Sequence, residues 1–256
     1  MTKKNIVIVG YPKSGTTWLS RLVAELVSCP LQGDWGFEEL EAPYKEGFER
    51  KSEFQVFKSH HTFQEIKSAS NLNIHKIIYI IRDPRDVVIS GIHYFNFLPR
   101  LLAEKGKTST INRVLRKTYN KLVSNKEKKR QMIDAVLNGN KKINPWFESS
   151  WKEHSSSFLN NDILIVKYED LVDSPEIESQ KILNYLEINK SEEHIKKSVI
   201  SQSFQKRKIK DSAKKDSHQK KLLRKGTYGN WKESFTKGEI TLFKNKLKDA
   251  NNLYNF

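Results

Sequence analysis

Four apolar runs in this chain are continuous rather than alternating, and each breaks into polar or turn-forming residues within a few positions. They are NIVIVG (5–10), FQVFKS (54–59), KIIYIIRD (76–83) and DILIVKYED (162–170). A strand that is apolar on both sides has to be covered on both sides, which is the condition of a parallel sheet. The intervening segments carry helical periodicity. TTWLSRLVAELV sets Leu19, Leu22, Val23, Leu26 and Val27 along one face, and PRDVVISGIHYF and SPEIESQKILNYLEI behave similarly. Ser174-Pro175 with Glu178 reads as a helix start. Strands alternating with helices predict an α/β fold of three layers, a P-loop-like parallel sheet flanked by helices on both faces.

The 256 residues suffice for one substantial core, and no internal repeat or linker interrupts them, so a single domain over 1–256 is expected. Two stretches stand apart. Residues 104–142 are lysine-rich and helical in pattern, which predicts an insertion or lid. Residues 201–225, SQSFQKRKIKDSAKKDSHQKKLLRK, predict a long basic loop with a frayed helix. No run approaches the roughly 20 apolar residues of a membrane span, and the apolar run behind the basic start MTKKNIVIVGYPK is too short for a signal peptide. A single cysteine, Cys29, excludes an intrachain disulfide framework and fits a reducing compartment, so a cytoplasmic location is expected. The net charge of +16 favours an anionic partner. Most of the lysines are scattered among Glu and Asp, however, and read as a solvated surface.

The first strand runs straight into a turn rich in Gly, Lys, Ser and Thr, IVIVGYPKSGTTWL (6–19). Gly10 ends the strand and Gly15 lets the backbone approach a ligand closely. The amides at the start of the next helix are donors at the positive end of a dipole, and Ser14, Thr16 and Thr17 add hydroxyls, so the loop predicts a phosphate site. In the usual triphosphatase pattern, G-x-x-x-x-G-K-[ST], a lysine follows the second glycine. Here that position is Thr16, and the lysine lies earlier, at Lys13.

YPKSGTTW resembles the 5′-phosphosulfate loop of the cytosolic sulfotransferase family, whose donor is 3′-phosphoadenosine 5′-phosphosulfate (PAPS). That resemblance implies that Lys13 neutralises charge developing on the departing 5′-phosphate, without a metal ion. FKSHH at the end of the 54–59 run resembles the family's K-[ST]-H, which implies His60 as general base, with His61 the fallback, and Lys58 as a stabiliser of the sulfuryl oxygens. Imidazole, with an ordinary pKa of about 6.5, suits proton acceptance near neutrality. IIRDPRDVVIS resembles the 3′-phosphate motif, implying Arg82 and Ser90, although an ion pair at the helix start among Arg82, Asp83, Arg85 and Asp86 fits the same residues. RKGTYGNWKESFT (224–236) resembles R-K-G-x-x-G-D-W-K-x-x-F-T, implying that Arg224, Lys225 and Gly226 complete the clamp; Asn230 stands at the usual Asp.

Trp18, Tyr168 and Phe204 correspond to family residues around the adenine, while Gln202 replaces the usual Thr. The family's dimer pattern K-x-x-x-T-V-x-x-x-E reads here as Lys232, Thr236, Lys237 and Thr241, without the valine and the glutamate. The resemblance spans Ile6 to Thr236. It implies transfer of a sulfuryl group from PAPS, leaving 3′-phosphoadenosine 5′-phosphate (PAP), to a hydroxyl or amine of a small-molecule acceptor. Trp35, Phe37, Tyr44, Phe95, Phe97, Trp146 and Phe147 are candidates for an acceptor pocket, with core packing the competing role for at least half of them. A Mg²⁺-dependent nucleotide or small-molecule kinase, with Asp83 as metal ligand, is the second reading, and the position of Lys13 argues against it. A nucleic-acid-binding protein using 104–142 and 201–225 is the third, and the scarcity of aromatics in those stretches argues against it.

Overall fold

The structure, a computed structural model, describes residues 3–35, 45–68, 73–98, 118–159, 161–212 and 226–250. In chain order these form β1 (Lys4–Gly10), α1 (Thr16–Val27), β2 (Leu31–Asp34), β3 (Phe54–Ser59), α2 (Phe63–Ser68), β4 (Ile74–Ile81) and α3 (Pro84–Tyr94). There follow α4 (Asn125–Asn138), α5 (Trp151–Leu159), β5 (Leu164–Lys167), α6 (Tyr168–Asp173), α7 (Pro175–Tyr185), α8 (Glu192–Ser201), α9 (Phe204–Ser212) and α10 (Lys237–Leu247). They gather into two compact units, Met1–Arg82 with His154–Tyr228, and Asp83–Glu153 with Gly229–Phe256.

The first unit holds a five-stranded sheet in the order β2-β3-β1-β4-β5, parallel throughout. β1 lies at its centre, and Ile6, Val7, Ile8 and Val9 have no exposed surface. Ile6, Ile8, Ile78 and Ile80 pack on Leu19, Leu22, Val23 and Leu26 of α1 and on Ile182 and Leu183 of α7. The alternate residues point the other way, where the Tyr79 ring stacks on Phe158 of α5 at 4.4 Å and Phe63 of α2 meets Phe158 edge-on at 5.7 Å. Both faces are therefore covered, as the continuous apolar runs require.

Register places the functional ends together. Val9 pairs with Ser59 and Gly10 with Ile80, so the segments after β1, β3 and β4 leave the sheet at the same edge. The chain passes to β3 on one side of β1 and to β4 on the other, which opens a crevice at the carboxyl ends of these strands, where ligands bind in such sheets.

Two strand boundaries differ from the sequence expectation. The run 162–170 is strand only over Leu164–Lys167, and Tyr168 already begins α6, whose first turn carries Glu169 and Asp170, favourable at the positive end of a helix. The run 76–83 ends as strand at Ile81, because the Asp83 side chain caps α3 by accepting from Arg85 N–H and Pro84 opens that helix. β2 was not expected: its four residues, LQGD, hold a single large apolar side chain.

In the second unit α3 and α4 pack so closely at Gly91 that an added Cβ there would collide with Met132. Of the lysine-rich stretch, Asn125–Asn138 is this packed helix, N-capped by Ser124, and 104–117 lie outside the described residues. Thr236, from the degenerate dimer pattern, caps α10 through a capping box with Glu239, whose carboxylate also takes Lys129 at 2.8 Å. Of the basic stretch 201–225, Phe204–Ser212 is helix and 213–225 lie outside the described residues.

Candidate active site

The loop after β1 turns through backbone conformations that few side chains adopt. Ser14 N–H donates to Tyr11 O at 3.0 Å, Lys13 has φ +72° and Gly15 φ +99°. Gly15 is the N-cap of α1, no side chain caps that helix, and its first turn contains no acidic residue. Its leading amides therefore present unopposed positive charge. Among the described residues, the Ser14 and Thr16 hydroxyls are buried with no hydrogen-bonding partner. A buried hydroxyl left so costs roughly 1–3 kcal/mol, so an oxyanion supplying acceptors to both fits the loop. A Cβ at Gly15 would stand 2.6 Å from the Tyr168 ring, and one at Gly10 2.7 Å from the Ile80 carbonyl oxygen and 2.9 Å from Thr16 Oγ1. Since backbone cannot yield there, Gly10→Ala is expected to destabilise the protein by about 1–3 kcal/mol, read as a fall in Tm of roughly 2–4 °C per kcal/mol.

Three cations surround this loop. Lys13 is half-buried, and its pKa falls from 10.5 to about 7, through burial first and then through the positive charges of Arg82 and Lys58. Arg82 is buried; it donates from Nη1 to Lys13 O at 3.2 Å and from Nη2 to Thr227 O at 3.0 Å, and its guanidinium lies 4.1 Å from the Tyr168 ring centre. The Lys58 ammonium, also buried, pairs with Asp34 at 3.0 Å. Burial lowers its pKa and Asp34 works in the opposite direction. An anion bound in the loop would offset the mutual repulsion that lowers the Lys13 pKa.

His60 follows β3 directly. Its Nδ1 lies 2.7 Å from Gly10 O. A carbonyl can only accept, so Nδ1 carries the proton. Burial, and after it the charge of Lys58, holds the imidazole well below its ordinary pKa. The ring is therefore neutral and its lone pair sits on Nε2. The His61 ring instead turns to Glu65 of α2, 3.9 Å away.

Trp18 meets Tyr168 edge-on at 5.8 Å and donates from Nε1 to Gln202 O at 3.0 Å, bringing the residue that replaces the family's Thr against α1. A Cβ on Gly226, which has φ +69°, would come within 2.5 Å of the Phe204 ring, so that glycine lies flat on the aromatic face. Arg224 and Lys225 lie outside the described residues. Of the alternative ion pair at the α3 start, Arg85 with Asp83 forms, at 2.8 Å. Asp86 accepts the Gly229 and Trp231 amides at 2.5 and 3.2 Å, and Arg85 lies 3.8 Å from the Trp231 ring centre, which anchors the GNW part of the last motif within the second unit. Ser90 lies half-buried on α3 in that unit.

The candidates for an acceptor pocket are largely core. Trp35 is 1% exposed and donates to Ile66 O, and in the second unit Phe95 meets the buried Phe147 edge-on at 4.9 Å while Phe97 is buried. Phe37 and Tyr44 lie outside the described residues. Two groups absent from every motif emerge around the site. Asp34 holds Lys58, and His154 of α5 lies with Nε2 3.0 Å from His60 O.

The sulfotransferase domain matches this sequence over residues 3–251. The chain belongs to that family. This sulfotransferase is 28% identical to the mouse protein "Sulfotransferase 1 family member D1" over 96% of its own length and 84% of the relative's. It is 25% identical to the rabbit "Amine sulfotransferase" over 96% and 81%. Among solved structures, a mouse sulfotransferase complexed with PAP superposes with a TM-score of 0.68 at 23% identity, covering 97% of this chain and 85% of that one. Retinol dehydratase in complex with androsterone and PAP gives 0.59 at 18% identity over 100% and 82%. These likenesses establish the parallel α/β sulfotransferase fold, and the family assignment does not favour the kinase reading. No helix among the described residues of this sulfotransferase is long and apolar enough to cross a membrane.

Proposed function

We propose that this sulfotransferase moves a sulfuryl group from PAPS to a hydroxyl or amine of a small-molecule acceptor, with His60 as the base. The observation that carries this reading is the grouping of Lys13, Lys58 and Arg82 beside two orphaned hydroxyls and an uncapped helix start, with His60 held by Gly10 at the same sheet edge. PAPS, when bound, supplies the sulfuryl group and leaves as a bisphosphate.

The loop amides with Ser14, Gly15, Thr16 and Thr17 hold the 5′-phosphate. Lys13 neutralises the charge that grows on the leaving oxygen. Lys58 turns from Asp34 toward the sulfuryl oxygens, and Nε2 of His60 accepts the acceptor's proton. Trp18, Tyr168 and Phe204 serve the adenine. Arg82 and Gly226 serve the 3′-phosphate, with Ser90, Arg224 and Lys225 assigned to it on their motifs alone. The acceptor is a small molecule, as the names of the amine sulfotransferase and the androsterone complex support.

The two phosphate positions make a thermal test decisive. PAP at one hundred times its Kd is expected to stabilise the fold by about 2.7 kcal/mol, a Tm rise of roughly 5–10 °C for a chain of this size. ADP and ATP at the same concentration should give less than a third of that shift, with or without Mg²⁺. An equal or larger shift with Mg-ATP overturns the reading.

A further inference from the structure

Below His60 lies a chain of buried polar groups that the proposed reaction does not use. His154, Ser155 and Tyr79 are each no more than 1% exposed. His154 Nε2 lies 3.0 Å from the His60 carbonyl oxygen, its Nδ1 lies 3.0 Å from the Tyr79 hydroxyl, and that hydroxyl lies 3.0 Å from Ser155 Oγ. The protons can be assigned by elimination. The carbonyl only accepts, so Nε2 of His154 carries hydrogen. Burial pushes His154 down to about 4, so the ring is neutral and Nδ1 is bare. Tyr79 must then donate its one proton to Nδ1, and Ser155 must donate to Tyr79. Every dipole in the series points the same way, toward the carbonyl of His60, and a chain aligned like this strengthens its terminal bond.

We propose that His154 is a positioning residue that fixes the main chain of His60, and so the direction of the His60 ring, from beneath. The inference rests on His60 being the base. A further contact ties the segment after His60 to α5: Phe63 N–H donates to Ser157 Oγ at 3.2 Å, and within α5 that hydroxyl donates to His154 O at 2.8 Å. His60 is then held at both ends, its ring by Gly10 and its carbonyl by His154. Without the second hold the part-buried carbonyl loses the donor from His154, the turn at 60–62 relaxes, and the ring swings on its Gly10 bond. Imidazole suits the place because it has a donor on one side and an acceptor on the other. A lysine could donate as well, but a further charge beside Lys13 and Lys58 would lower the basicity of His60; a charged His154 would act in the same direction.

The pair His154→Asn and His154→Gln separates positioning from packing. Asparagine reproduces the Nδ1 side of the ring and keeps a partner for Tyr79, but does not reach the His60 carbonyl. Glutamine reproduces the Nε2 donor. With ¹⁵N-histidine labelling and saturating PAP, His60 in the unaltered protein should show the Nδ1–H tautomer alone. His154→Asn should show a mixture of tautomers, and His154→Gln should restore the single form. With PAPS and the fastest acceptor of a panel of phenols, alcohols and amines, kcat should fall by about 100-fold in the asparagine variant, the loss that a displacement of about 1 Å can cause. PAP affinity should stay within about threefold of the unaltered protein. An asparagine variant with the original tautomer and kcat, or a glutamine variant impaired as much as the asparagine one, overturns the proposal. If neither variant folds, Tyr79→Phe carries the test, since it frees Nδ1 of His154; a single His60 tautomer and unaltered kcat in that variant overturn it too. The base assignment fails differently, by turnover surviving His60→Ala.

Discussion

His60→Ala is expected to lower kcat by about 10²–10⁴-fold, the span that a positioned base supplies, while PAP binds within a few-fold of its affinity for the unaltered protein. The reason is local. The His60 ring is tied to the loop by the hydrogen bond from its Nδ1 to Gly10 O at 2.7 Å, and truncation removes the proton acceptor while leaving the cations and the hydroxyls of Ser14 and Thr16 in place. Loss of that bond should cost about 1 kcal/mol of stability, too little to unfold the protein. His61→Ala is the control and should stay within about threefold of the unaltered kcat, because its ring turns to Glu65. Turnover within tenfold of the unaltered rate in His60→Ala would remove it as the base.

Lys13 is expected to have an effect of similar size, with a distinctive pH signature. Lys13→Met should lower kcat by about 10²–10³-fold, as loss of a preorganised charge at a developing anion does. In the free protein its pKa falls from 10.5 to about 7, lowered by burial and by Arg82 and Lys58. A dianionic phosphate favours the ammonium and restores the higher value. Nucleotide binding is therefore linked to proton uptake above pH 7. PAP affinity should be flat below about pH 7 and weaken by up to tenfold per unit above it. Lys13→Met should flatten most of that slope. The sign for the free protein is opposite. Its unfolded state holds the Lys13 proton up to 10.5, whereas the folded state releases it near 7, so this residue adds stability as pH rises between those values. Calorimetry in buffers of different ionisation heat would count the protons taken up. Zero uptake at pH 8 would contradict the role given to Lys13.

The legible parts of this sequence were those in which one stretch of chain decides its own structure. The later part of β1 and the end of β4 are continuous runs of apolar residues, and nothing but burial on both faces suits them. The phosphate loop was legible for the same reason, since Gly10, Lys13 and Gly15 all serve the backbone of one turn. β2 was not, because four residues with Leu31 their one large apolar side chain offer no pattern, and the strand exists only because β3 gives it an edge to pair with. The end of β5 was missed since local helix-start chemistry at Tyr168, Glu169 and Asp170 outcompetes an apolar run that had already ended.

His154 and Asp34 were invisible for a further reason. They meet His60 and Lys58 across 94 and 24 residues of sequence, through polar contacts that leave no periodicity and belong to no motif. The ring of Arg82, Asp83, Arg85 and Asp86 shows the limit from the other side. Charge spacing allows one shared ion-pair cluster, yet the fold adds separate tasks: Asp83 pairs with Arg85, Arg82 donates to the Lys13 carbonyl, and Asp86 accepts the Gly229 amide.

The central claim is that cationic and amide donors at one sheet edge grip PAPS so that its sulfuryl group passes to an acceptor presented to His60. Transfer of ³⁵S from labelled PAPS to a panel of phenols, alcohols and amines in excess EDTA tests this most directly, with adenosine 5′-phosphosulfate, which lacks the 3′-phosphate, as the paired donor. The account predicts labelled product from PAPS at a rate indifferent to EDTA, and at least a hundredfold less from the donor without the 3′-phosphate, the equivalent of about 2.7 kcal/mol. Equal transfer from both donors, or product only with Mg²⁺ and ATP present, would contradict it.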